Sequence, residues 1–226
     1  MRERADVAAR IPGLELTEAF ATSAFWVLVA CNLLSVFAGF SIIGHVVAFL
    51  TDVGFGSQSA ASSLGLAIGV SVVGRMLFGI LADRFSKKYV MALALAAQGA
   101  STLCLFAIHS FGALETFVIV FGMGLGGGAV LMPLLVGECF GLRSFGRILG
   151  VIMISSALGA AIGPVLTGRI FDVTGSYTLG FALHLAAFAT SALLICAVRR
   201  PVFEKEPRSH VSKVDESQER PPVRYP

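Results

Sequence analysis

Six apolar runs, each long enough to cross a bilayer, constrain this 226-residue chain more than any other feature. They lie near Phe25–Leu50, Ser59–Leu81, Tyr89–Ile108, Leu114–Gly137, Ile148–Thr167 and Thr178–Val198. A hydrocarbon core about 30 Å thick needs roughly 20 helical residues, and these runs meet that length. Backbone groups in lipid have no water to bond, so each segment must satisfy its own N–H and C=O groups. The runs are continuous and do not alternate, which specifies helices and excludes barrel strands. The expected fold is all-α: a polytopic membrane protein with six transmembrane helices. Residues 1–22 read as a cytoplasmic leader, 23–198 as the helical bundle and 199–226 as a polar, proline-bearing, disordered tail. The first run follows a charged leader and lacks a cleavage site, which separates it from a signal peptide.

Charge placement orients the spans. Only 14% of residues are charged, against about 25% in soluble domains. Of the 17 Lys and Arg, 15 fall in the leader (Arg2, Arg4, Arg10), the Arg84–Lys88 loop, the Arg143–Arg147 loop or the stretch beyond Val198. With six spans all these segments share one side, whereas the opposite loops Thr51–Ser57 and His109–Ala113 carry no Lys or Arg. Cytoplasmic loops accumulate positive charge, so both termini are expected in the cytoplasm of an integral protein of the plasma (inner) membrane. Trp26, Tyr89 and Tyr177 stand at span ends, as interfacial aromatics do. The net charge of +3 follows from topology and calls for no nucleic-acid partner. Cys31, Cys104, Cys139 and Cys196 lack metal-ligand spacing and read as small packing residues. No nucleophile–base set, metal cluster or nucleotide loop is present, so the expectation is a non-enzyme without metal or cofactor.

Within this frame the stretch Gly74–Lys88, GRMLFGILADRFSKK, carries the chemistry. A charge within hydrocarbon is expensive and marks a functional site by default, so Arg75 is the first candidate. Its span runs from outside to inside, and helical side chains lean toward their own N-terminus. Arg75 is thereby aimed toward the midplane and away from the nearer interface. His45 reads as the only histidine within a span; it can take a proton, bond a substrate or simply pack. Asn32 and Gln98 read as interhelical bonds before substrate contacts. The motif Gly74-x4-Gly79-x3-Asp83 recurs as Gly163-x4-Gly168-x3-Asp172, displaced by 89 residues. The same offset carries the first three spans onto the last three. Three is odd, so the second copy enters the membrane upside down. Glycines crowd the fourth span, and Gly159-x3-Gly163-Pro164-x3-Gly168 marks the fifth as a place of close packing and bending.

Gly79-x3-Asp83-Arg84-x2-Lys87-Lys88 resembles the loop signature of the major facilitator superfamily, and the displaced motif matches the 3+3 inverted repeat nested in each half of those proteins. Val70–Arg75 with Gly79 and Ala82-Asp83 resembles the eighth helix of monocarboxylate and oxalate/formate-type carriers. His45-x3-Phe49-Leu50-Thr51-Asp52-x-Gly54 is similar to the end of their seventh helix. Glu138-x-Phe140-Gly141 with Phe145-Gly146-Arg147 is similar to their loop between helices ten and eleven. The resemblance covers residues 14–198. It implies that Arg75 binds a substrate carboxylate, that His45 is a weaker contact and that Asp83 belongs to a cytoplasmic gate with Gly74, Gly79, Arg84, Lys87 and Lys88. Three departures matter. Ser71 stands where animal monocarboxylate carriers have an aspartate, the span Ile148–Thr167 lacks the second basic residue that the oxalate/formate carrier has in its eleventh helix, and Ser86 replaces the usual glycine of the loop.

The expectation is the C-terminal half of a secondary transporter that moves a small organic anion, such as a monocarboxylate, by alternating access. Its partners would be that anion, the lipid bilayer, and a missing N-terminal six-helix half or a second half-transporter. Another substrate class, drug or sugar, or a non-transporting membrane assembly derived from a transporter half, stays open at this point.

Overall fold

Every long apolar run becomes one uninterrupted helix in the computed structural model, which describes residues 12–108 and 111–199. The charged residues Arg2, Arg4 and Arg10, the expected disordered tail from residue 200 and the loop residues His109 and Ser110 lie outside the described residues. After a five-residue helix α1 (Leu16–Phe20) come α2 (Ser23–Asp52), α3 (Ser57–Arg84), α4 (Lys87–Phe106), α5 (Phe111–Phe140), α6 (Phe145–Thr174) and α7 (Thr178–Ala197). Helices α2, α5 and α6 have 30 residues each, about 45 Å at 1.5 Å per residue, so they pass beyond the hydrocarbon into the headgroup zone. This extra length explains why the apolar runs understate the helix ends. Helix α6 overshoots most, continuing past Gly168 and Arg169 until Gly175 (φ 65°) terminates it in the left-handed region with its N–H on the Phe171 carbonyl. At the other end of the chain Thr22 caps α2 by accepting from the Phe25 amide at 3.3 Å.

The inverted repeat is visible in the packing. Adding 89 to the bounds of α2, α3 and α4 lands within two residues of those of α5, α6 and α7. Helix α3 packs most heavily on α5, and α2 on α6, two pairs that exchange under the same offset. Both seams are built on glycine. A Cβ at Gly126 would overlap the Ser71 carbonyl oxygen, one at Gly74 the Met123 carbonyl oxygen and one at Gly122 the Ala67 carbonyl oxygen. In the companion seam a Cβ at Gly163 would overlap the Phe37 carbonyl oxygen, and one at Gly159 would stand 2.7 Å from the Leu33 carbonyl oxygen. Lipid tails supply no hydrophobic drive between helices, so close backbone approach through small residues has to hold them. Helix α4 fills in behind α5, and α7 packs against both α4 and α2.

One tertiary contact lies outside the bundle pattern. The segment before α1 pairs with the α5–α6 loop: Leu14 N–H donates to the Phe140 carbonyl (2.8 Å) and Leu142 N–H to the Pro12 carbonyl (3.1 Å). Arg143 adds a 2.8 Å ion pair to Glu15. Gly141 has φ 74°, and a Cβ there would sit 2.5 Å from Gly13 Cα. Gly141→Ala is therefore expected to open this bridge, since strain of about 1–3 kcal/mol adds to the overlap. Hydrogen exchange checks it. The Leu142 amide should lose protection while the amides of α5 and α6 keep theirs.

Candidate functional site

The buried residues of α3 are Ala60, Ala67, Ser71, Gly74, Phe78 and Ala82, a stripe of small side chains pressed on α5 with Phe78 among them. Arg75 is the neighbour of Gly74 and stands on the flank of this stripe, exposed. No hydrogen bond or ion pair engages its guanidinium among the described residues. Gly126 of α5 faces the Arg75 backbone, because a Cβ there would be 2.8 Å from Arg75 N. Ala67 and Val70 meet Gly122, while Ser71 and Arg75 meet Gly126, so α3 and α5 run parallel. At about 100° per residue, Arg75 and the α5 residues Leu125, Ala129 and Met132 then fall on the same side of the seam. Those three residues line a cavity of about 290 Å³, walled also by α2, α4 and α6. Ser71, which stands in place of an aspartate, is buried and donates to the Ile68 carbonyl at 2.6 Å.

The loop motif divides into parts with different roles. Gly74 permits the close approach to Met123, whereas a Cβ at Gly79 would meet nothing within 4 Å. Asp83 and Arg84 are exposed at the end of α3. Ser86 turns the chain with φ −61° and ψ 120°, an ordinary extended conformation that requires no glycine, so its departure from the usual residue is harmless. Lys87 makes a 3.0 Å ion pair with Glu138 near the end of α5, and Lys88 reaches the Cys196 carbonyl at 3.5 Å while lying over the Tyr89 ring. The lysines therefore also tie α4 to α5 and α7, beyond any part in orientation. Lys87→Ala is expected to destabilise the bundle by about 1–2 kcal/mol, because a half-buried ion pair between α4 and α5 is lost. The exchange of Lys87→Glu with Glu138→Lys should recover most of the loss in a thermal melt in detergent.

His45 lies in the α2–α6 seam. Its Nε2 donates to the Pro164 carbonyl at 2.9 Å, and a Cβ at Gly168 would be 3.4 Å from its Cε1. A Cβ at Gly44 would stand 3.6 Å from Pro164 Cβ. Gly159, Gly163, Pro164 and Gly168 thus all serve the contact with α2, and α6 remains helical through Pro164. Pro164 occupies the place that corresponds to Arg75 under the 89-residue offset. Missing from the expectations above is His184 of α7, a second intramembrane histidine. It is wholly buried, bonded to Thr167 Oγ1 at 2.9 Å through Nε2, with no partner for Nδ1 among the described residues. Its place inside the sixth apolar run was the signal that could have found it. Tyr177 also differs from expectation. It is 8% exposed, packed on Phe171 and Phe181 and 5.8 Å from His45, whereas Trp26 (58%) and Tyr89 (59%) lie at the surface. Burial, reinforced by the Asp52 and Asp172 carboxylates, raises the Tyr177 phenol above the ordinary tyrosine range, so it stays protonated.

The two intramembrane amides behave differently. Asn32 makes the interhelical bonds expected of it, the two hydrogens of its Nδ2 being shared among the Ile152 carbonyl (3.2 Å), Ser155 Oγ (2.9 Å) and Ser156 Oγ (2.6 Å). Gln98 makes none of this kind, although it is only 4% exposed. Both line the cavity beside Arg75's side of the seam.

A six-helix bundle with an inverted repeat and a mid-span arginine can be compared directly with known proteins. The family model described as Major Facilitator Superfamily matches residues 25–224. The chain belongs to the major facilitator superfamily. Among curated relatives it is 32% identical over 181 residues to monocarboxylate transporter 12 of Mus musculus, covering 78% of this chain and 37% of that protein. It is 24% identical over 189 residues to monocarboxylate transporter 4 of Gallus gallus, covering 78% and 40%. Among solved structures, a peptide transporter POT (E310Q mutant) in complex with alafosfalin superposes with TM-score 0.71 at 16% identity, over 86% of this chain and 41% of that one. The transporter FucP in its outward conformation gives 0.68 at 14% identity, over 83% and 46%. At such identities the structures establish the fold alone. The chain spans less than half the length of the curated relatives it matches.

Proposed function

We propose that this bundle is one six-helix half of a secondary transporter, the C-terminal one, which moves a small organic anion of the monocarboxylate class. The observation that carries this reading is Arg75. It is a permanent cation within a membrane span, exposed on the side of the α3–α5 seam where Leu125, Ala129 and Met132 line a cavity, and held by no anion among the described residues. A guanidinium presents a rigid fork of donors that matches a carboxylate in two parallel bonds. Curated relatives named as monocarboxylate transporters support the same substrate class. Alternating access requires a second half across the cavity, and relatives more than twice as long have room for one. In this reading His45 is a weaker solute contact, or acts by setting the α2–α6 seam. Asp83, with Gly79 and Arg84, would hold the second half while the basic end, facing the cytoplasm, is closed. The residues before α2 would be the end of the loop between halves, and those after α7 a cytoplasmic tail.

Uptake tests it. The chain is reconstituted in vesicles with a six-helix first half, and entry of labelled lactate, formate and oxalate is followed. Saturable entry of the monoanions, with weaker entry of oxalate, is expected, because one arginine neutralises one carboxylate. Preference for an uncharged sugar with no carboxylate uptake would overturn the substrate class. Absence of any solute movement would favour a non-transporting membrane role.

A further inference from the structure

Gln98 is a buried carboxamide that the bundle leaves without a partner, and the surrounding backbone makes room for it. It sits in mid-α4, 4% exposed, and no hydrogen bond engages its side chain among the described residues. Its backbone carbonyl, by contrast, accepts from both Ser101 (2.7 Å) and Thr102 (3.0 Å). Three glycines from two other helices surround the side chain. A Cβ at Gly124 would stand 2.6 Å from Gln98 Cγ, one at Gly128 would be 3.8 Å from Nε2, and one at Gly39 would be 3.9 Å from Oε1. A Cβ at Gly124 would displace the side chain, whereas one at Gly39 or Gly128 would only come into van der Waals contact with the amide, so both leave it free on the cavity side. The glycines thus open a window between α2 and α5, and the carboxamide faces through it into the cavity of about 290 Å³.

That cavity is mostly apolar, and its polar lining residues are few: Asn32, Ser35, Gln98 and Ser156, of which Gln98 alone has a side chain with no bond among the described residues. An apolar recess with a few placed polar groups is the usual form of a small-molecule site. The bundle offers the Gln98 amide no bond, so its donors and acceptor are left for whatever enters the cavity. The fourth span also sets the level. Gly126 faces the backbone of Arg75, while Gly124 and Gly128 bracket Gln98, so the two side chains start within about 3 Å of each other in depth.

We propose that Gln98 is a specificity-determining contact of the transport path, hydrogen-bonding a hydroxyl or amide group of the solute whose carboxylate Arg75 holds. A carboxamide offers one acceptor and two donors, so it matches a group that both donates and accepts. A plain alkyl chain in the same place leaves the amide unpaired, and a site of this kind rejects the solute that lacks the polar group. The inference rests on the carboxylate reading of Arg75 for the other end of the solute.

Equilibrium binding to the full chain in nanodiscs tests the contact with two pairs of probes that differ by one hydroxyl: lactate against propionate, and lactamide against propionamide. The wild-type chain is expected to prefer the hydroxylated member of each pair by about tenfold. Gln98→Leu should erase that preference while propionate binds as before. Equal weakening of lactate and propionate in Gln98→Leu would mean a packing role only and would overturn the proposal. Binding of lactamide that depends on Gln98, with neither carboxylate bound, would remove the Arg75 reading and leave this one standing. No Gln98-dependent preference in either pair overturns it. An independent arm uses Gln98→Cys with Cys31, Cys104, Cys139 and Cys196 replaced by alanine. A water-soluble methanethiosulfonate should modify this thiol and leave a Leu28→Cys thiol in the closed core untouched. An unreactive thiol at 98 would show that the window is shut and sink the idea whatever the binding data say.

Discussion

Arg75→Ala is expected to lower carboxylate uptake by about 100-fold while the bundle melts at the wild-type temperature. The kinetic part follows from removing a desolvated, two-pronged ionic contact. Truncating one partner of such a pair costs about 2–5 kcal/mol, and about 2.7 kcal/mol corresponds to two decades in rate or affinity. The stability part follows from the structure. Arg75 is exposed, and among the described residues no carboxylate or carbonyl depends on it, so its loss orphans no partner in this half. Arg75→Lys keeps the charge but not the planar fork, and an intermediate loss of about tenfold is expected. Initial rates of labelled lactate entry, measured beside melting curves on the same preparations, separate the two roles. Wild-type uptake by Arg75→Ala would remove the residue from the binding site. A collapsed melt with unchanged uptake per folded molecule would make it structural.

The second large effect concerns packing. Gly126→Val is expected to abolish the folded bundle or lower its melting temperature by tens of degrees, and Gly163→Val to do nearly the same. In both places the first added carbon would overlap a backbone carbonyl of the facing helix, Ser71 in one seam and Phe37 in the other. A backbone cannot move aside as a flexible side chain can. Relief requires the two helices to separate along several turns, which forfeits dispersion contacts that lipid does not replace by hydrophobic drive. Overpacking of a core side chain costs about 1–3 kcal/mol, and a clash with a rigid carbonyl exceeds that. Gly79→Ala is the matched control. A Cβ there meets nothing within 4 Å, so the change should raise stability slightly through helix propensity, by about 1 kcal/mol. Circular dichroism melts in detergent compare the three. A Gly126→Val protein that melts with the wild type would contradict the seam. Impaired uptake in a stable Gly79→Ala protein would instead place this motif glycine at a moving contact with the second half.

Membership in the superfamily and the course of the six spans were legible along the chain. Each span announces itself locally, by length and composition against a fixed bilayer thickness, and needs no knowledge of its neighbours. The repeat was legible for the same reason: Gly74-x4-Gly79-x3-Asp83 and its copy are linear patterns. Glycine crowding in the fourth span was visible too, but its division of labour was not. Gly122 and Gly126 admit α3, whereas Gly124 admits α4 with Gln98, and only helical phase separates those duties. Tyr177 stands at the start of α7, the span end expected for it, but is stacked on Phe171 and Phe181 with His45 beside it, which position along the chain did not reveal.

The candidate site shows the same boundary. Arg75 stood out in the sequence because a charge in hydrocarbon is conspicuous wherever its neighbours lie. Asn32 and Gln98 looked alike, two amides in apolar helices, each suited to bridging a neighbour. Tertiary packing gave Asn32 the Ile152 carbonyl and two serines, and gave Gln98 three glycines and a cavity. Which amide is satisfied depends on what stands opposite it across a seam, and residues opposite one another here are separated by 120 positions in the case of Asn32 and Ile152. The sequence by itself determined the spans, their repeat and the position of the lone mid-span cation, because bilayer thickness and the cost of buried charge act on each segment separately. Which polar groups remain free to meet a solute was decided by tertiary structure alone, because hydrogen-bond satisfaction is a property of pairs brought together by packing.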